Sequence, residues 1–101
     1  MIAVNKTKDQ TCQQLLAAFF TKYPNARLKV EAGRTLKKLM ARKAPMLGKP
    51  GGWAGGLVYA ISSIGVGVPG VLNSELEEAF GVSMGTIYKR AAMIKKLLLS
   101  M

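Results

Sequence analysis

The sequence predicts an all-α fold of five helices, and three observations carry that prediction. Apolar residues recur at helical spacing in four separate segments, a fifth segment, "WAGGLVYAISSI", is apolar on almost every face, and turns rich in Gly and Pro divide the chain between them. With 101 residues the chain can build one hydrophobic core but not a doubly wound sheet, so a single domain over 1–101 is expected.

The first helix lies in "KDQTCQQLLAAFFTKYP", where Cys12, Leu15, Leu16, Phe19 and Tyr23 share one face and Pro24 ends the run. Asn25 is placed to cap a second helix. In it Leu28, Ala32, Leu36 and Leu39 form the apolar stripe, and Arg34, Lys37, Lys38 and Arg42 cover the opposite side. Gly33 weakens this helix slightly, and "APMLGKPGG" breaks it.

The third helix is expected over Gly51–Ile64, with Trp53, Leu57, Ile61 and Ile64 on one face and Ala54, Val58 and Ala60 beside it. A helix apolar all round lies either in a protein centre or in lipid. Lipid requires about 20 apolar residues, and "GVGVPG" interrupts this run too early. The segment is therefore read as a buried central helix, not a membrane span. Gly55, Gly56 and Ala60 then mark places where neighbouring helices approach closely. Gly65, Gly67 and Gly70 match the spelling of a dinucleotide loop by accident, because no acid follows at the spacing that loop requires.

The fourth helix is expected to start from a capping box made by Ser74 and Glu77 and to bury Leu76 and Phe80. Gly81 turns the chain, Val82 plugs the turn, and Ser83 caps a last helix whose inner face holds Ile87, Ala91, Ile94 and Leu98. Short helix, Gly turn and Ser-capped longer helix have the spacing of a helix-turn-helix. On the opposite face of the last helix, Gly85, Lys89, Ala92 and Lys96 fall together, small enough to approach DNA and basic enough to reach phosphates or a guanine edge. Met40, Met46 and Met93 read as core filler.

A net charge of +10 suits nucleic acid, an anionic lipid surface or an acidic protein. Eleven of the fifteen Lys and Arg precede Pro50, so a basic half leads into a nearly neutral one. There is no His, and Cys12 is alone, which removes the commonest general base and any Cys-paired metal site. The chain is thus expected to be no enzyme, to hold no metal and no cofactor, and to reside in the cytoplasm, since "MIAVNKTKDQTCQQ" has no secretory pattern.

From Gly48 to Leu98 the text resembles a cyclin-like repeat of the general transcription factor TFIIB. "KPGGWAGGLVYAISS" is similar to the Pro-led central helix of that repeat, and "ELEEAFGVSMGTIYKR" to its final helix pair with the G-V-S-x-x-T-I core. Uncharacterised bacterial helix-turn-helix domains share the pattern. The resemblance implies five helices around a hydrophobic central one, a cyclin-like bundle, with Ser83, Thr86 and Lys89 in a recognition helix near DNA. A Cys-paired zinc ribbon and a second repeat are both missing. The position after Leu76, usually small in a helix-turn-helix, is Glu77.

The expected function is a small DNA-binding transcriptional regulator. Its partner would be double-stranded DNA held by Ser83, Gly85, Thr86, Lys89 and Lys96, with Arg34, Lys37 and Lys38 reaching flanking phosphates if their helix lies on the same side. The alternative is a cyclin-like adaptor that holds an acidic protein without binding DNA. Leu97, Leu99 and Met101 cannot all face inward from one helix, which motivates a homodimer through this tail.

Overall fold

The computed structural model describes residues 8–42, 48–62, 68 and 70–99. Five helices follow one another: α1 (Lys8–Lys22), α2 (Ala26–Ala41), α3 (Pro50–Ser62), α4 (Asn73–Phe80) and α5 (Met84–Leu99). No strand occurs among the described residues. None of these helices is long and apolar enough to cross a membrane.

Helix α3 is the hub, since it packs against all four others, most extensively against α5. Its residues Gly51 to Val58 are all buried, as the all-round apolar character of the sequence requires. Pro50 occupies the first helical position, where its missing N–H costs nothing. The Cys12 thiol donates a hydrogen bond to the Pro50 carbonyl at 3.4 Å, tying α1 to the start of the central helix. Trp53, Leu57, Leu76, Ile87 and Ile94 are the core that the periodicity indicates, each at most 1% exposed. Truncating any one of the aliphatic members to Ala would cost about 2–5 kcal/mol, a large share of a small domain's stability. Ile61 is only partly buried, because it lies in the last turn of α3, and Ile64 lies outside the described residues.

Close approach is what makes the glycines of α3 necessary. A Cβ on Gly51 would overlap the Phe80 carbonyl, and one on Gly56 would lie 2.6 Å from Arg90 Cβ and 2.9 Å from the Ala91 nitrogen. On the other flank Phe19 of α1 stacks on Phe80 of α4, ring centroids 5.1 Å apart, and meets Phe20 edge-on at the same distance. Phe20 itself is buried, which the single stripe assigned to α1 does not include.

The helix ends follow local chemistry, with two differences from expectation. Asn25 Oδ1 accepts the Leu28 N–H at 3.0 Å, capping α2 as its sequence position predicts. Helix α4 begins at Asn73, ahead of Ser74, so the expected pairing of Ser74 with Glu77 does not form. Glu75 instead accepts the Leu72 N–H at 2.8 Å. Met93 differs too: it is 43% exposed and is not core filler, its sulfur lying 3.6 Å from Arg90 Nη1.

Candidate nucleic-acid interface

Helix α4 ends at Gly81, whose φ of 67° lies in the left-handed region where a Cβ is disfavoured, and whose N–H returns to the Glu77 carbonyl at 2.8 Å. Val82, partly buried, packs against the core. Ser83 Oγ then accepts the Thr86 N–H at 3.3 Å and starts α5. A second cap comes from the preceding helix: the Glu77 carboxylate accepts the Met84 N–H at 2.7 Å across the turn. The acid at the position usually kept small thus fixes one helix onto the next. Its charge at the N-terminal end of α5 also complements the helix dipole.

Ile87, Ala91 and Ile94 anchor α5 in the core. Gly85, Lys89, Ala92 and Lys96 are all exposed on the side facing away from it. Ser83 is exposed at the cap of the same helix, whereas Thr86 is only partly exposed and lies beside Gly52 of α3. Arg34, Lys37 and Lys38 are exposed on α2, which packs on α1 and α3 but has no substantial contact with α5. Arg34 is in addition paired with Glu31 at 3.5 Å, a surface ion pair worth about 0–1 kcal/mol.

Beside the outward face of α5 lies a polar cleft of about 610 Å³, lined by Lys49, Glu77, Gly81, Ser83, Thr86 and Arg90. Arg90 lies over the Trp53 ring, its guanidinium carbon 4.9 Å from the centroid, an arrangement that favours a cation. Arg90 Nε is buried without a hydrogen-bond partner among the described residues. Leaving such a donor unsatisfied costs about 1–3 kcal/mol. The only described acceptor for Nη1 is the Met93 thioether at 3.6 Å, a weak one. Nη2 faces Gly48, where a Cβ would come within 2.6 Å of it. Lys49 and Arg90 are site residues that sequence reasoning missed. Lys49 precedes the apolar run by one position and Arg90 follows Thr86 by one helical turn, but only the fold brings α3 and α5 together.

A second cavity, an apolar groove of about 230 Å³, runs between α1 and α2. Leu16, Ala17, Phe20, Ala32 and Leu36 line it and Lys29 and Lys37 border it.

Compared with known proteins, the chain matches no family model, no curated protein and no solved structure.

Proposed function

We propose that this chain is a small DNA-binding protein and a transcriptional regulator, using α4 and α5 as a helix-turn-helix with α5 in the major groove. One observation carries the reading: Gly85, Lys89, Ala92 and Lys96, small or basic, are exposed together on α5, with Tyr88 exposed beside them, on a helix held firmly by its apolar face and two N-terminal caps. Small residues allow the backbone to approach the groove, and lysines neutralise phosphates with release of counterions. The net charge of +10 and the sequence resemblance to the cyclin-like repeat of TFIIB favour the same reading. Five helices around a hydrophobic one are what that repeat implies, and the cytoplasm, where DNA is accessible, is the compartment the reading requires in a bacterial setting.

The test is binding to a mixed-sequence duplex over a range of salt. The double variant Lys89→Ala with Lys96→Ala should weaken binding and lower the slope of log affinity against log salt by up to about 1.8, about 0.9 per phosphate contact. Unchanged affinity and slope in a folded double variant would sink the DNA reading.

A second reading, an adaptor for an acidic protein segment, is favoured by the groove between α1 and α2. Its apolar floor and its lysine border suit an amphipathic acidic helix. Binding of such a partner would survive excess duplex DNA, whereas binding through α5 would not.

A further inference from the structure

We infer that the cleft between Lys49 and the α4–α5 turn is a phosphate-binding site, with Arg90 and Lys49 as its cations and Thr86 as a hydroxyl donor. Three features converge on an anion. The guanidinium of Arg90 lies over the indole face of Trp53 and beside Gly48, and the acceptor described for its Nη1 is a weak one, the Met93 sulfur. A guanidinium so placed has donors in a fixed fork that match a phosphate or carboxylate. Lys49, exposed at the same cleft, supplies a second positive charge. Thr86 Oγ1 accepts from Ser83 Oγ at 3.3 Å, which leaves its own hydroxyl hydrogen to donate into the cleft.

Glu77 is the opposing charge on the wall, and its Oε2 is already engaged by the Met84 N–H. Two cations therefore face one carboxylate that is turned to the helix end. A carboxylate ligand offers fewer acceptor oxygens than this set of donors, so the site fits a phosphate better. The phosphate can come from free inorganic phosphate or a phosphorylated small molecule, or from a DNA strand crossing beside α5. The second source rests on the DNA reading above; the anion site does not.

Trp53 is the single tryptophan of the chain, so its emission reports on Arg90 directly. Wild-type protein titrated with inorganic phosphate should show a saturable emission change that chloride at equal ionic strength does not produce. Arg90→Gln should abolish it. Lys49→Gln, an exposed substitution outside the core that leaves the fold intact, should weaken it about three- to tenfold. Glu77→Gln, which keeps an acceptor for Met84 but removes the negative charge, should tighten it by a similar factor. A response that only follows ionic strength, or an unaltered midpoint in Lys49→Gln and Glu77→Gln, overturns the site.

Duplex DNA separates the sources. Displacement of a bound duplex by phosphate, with a salt slope about 0.9 lower in Lys49→Gln, identifies a strand phosphate as the occupant. A phosphate response with no duplex binding keeps the anion site and defeats the DNA reading alone. Duplex binding with no phosphate response and an unaltered slope in Lys49→Gln defeats the anion site alone.

Discussion

Replacing Gly56 by Ala measures how closely α3 and α5 approach. The new Cβ would lie 2.6 Å from Arg90 Cβ, 2.9 Å from the Ala91 nitrogen and 3.0 Å from the Arg90 carbonyl carbon. Two of those three atoms are backbone, so no rotamer change relieves the overlap and the helices must separate. Overpacking costs about 1–3 kcal/mol, and the rigidity of the obstacle places Gly56 near 3 kcal/mol. Alanine is the better helix former by about 1 kcal/mol, which leaves a net loss of about 2 kcal/mol. Gly33 is the control: it is exposed in the interior of α2, and a Cβ there would meet nothing within 4 Å. The same substitution there should gain about 1 kcal/mol. At about 4–8 °C per kcal/mol for a domain of this size, Gly56→Ala should melt about 8–16 °C below the wild type and Gly33→Ala about 4–8 °C above it. Thermal unfolding followed by circular dichroism, with urea titration for the free energies, decides the matter. If Gly56→Ala melted at or above the wild type, α3 and α5 would not be as close as described.

Glu77→Ala should cost about 0.5–2 kcal/mol through the lost cap on α5, whereas Glu78→Ala, one position along and exposed, should stay within about 0.5 kcal/mol; equal losses in urea titration would contradict the cross-turn cap. Gly81→Ala forces a Cβ into the left-handed region and should lose about 1–2 kcal/mol, although the site has open space around it. That loss should appear as a lower Tm with no change in the denaturant slope, and a neutral result would mean the turn has another conformation. For DNA, Lys96→Ala should weaken all sequences alike, while Lys89→Ala, nearer the start of α5, should relax preference at one base position by about 1–3 kcal/mol. Selection of bound fragments from random duplexes by each variant checks the distinction, and identical sequence profiles would refute it.

Most of the helical frame is legible in the sequence because each helix carries its own punctuation. Pro24 and Asn25 separate α1 from α2, Pro50 opens α3, and Gly81 with Ser83 divides α4 from α5. The start of α4 is less determinate, since acids at 75, 77 and 78 permit boxes in two registers. The choice falls to Glu75 with Leu72, and it frees Glu77 to reach Met84, a partner seven residues away that periodicity cannot indicate. The outward face of α5 follows from helical spacing once its buried side is known. The cleft was not legible at all: Lys49 and Arg90 are separated by most of the second half of the chain and meet through glycine contacts between α3 and α5. Met93 shows the limit of composition, because methionine fills cores and decorates surfaces equally well and only the rotation of α5 distinguishes the two.

Four of the thirteen residues of α3 are glycine, and their packing role has a consequence for the order in which the protein folds. Each glycine in a helix interior disfavours the helix by about 1 kcal/mol relative to alanine, so the segment lacks about 4 kcal/mol of intrinsic propensity. Its thirteen residues are also about the minimum length for a marginal helix in water even with good helix formers. The segment cannot serve as a nucleus by itself. Local structure must begin in stronger pieces, α2 with its Asn25 cap or the α4–α5 pair with its short connection, and α3 becomes helical only as these surfaces close around it. The most buried element of the chain is then the one whose conformation depends most on the others, and local opening of α5 would release the centre along with the edge.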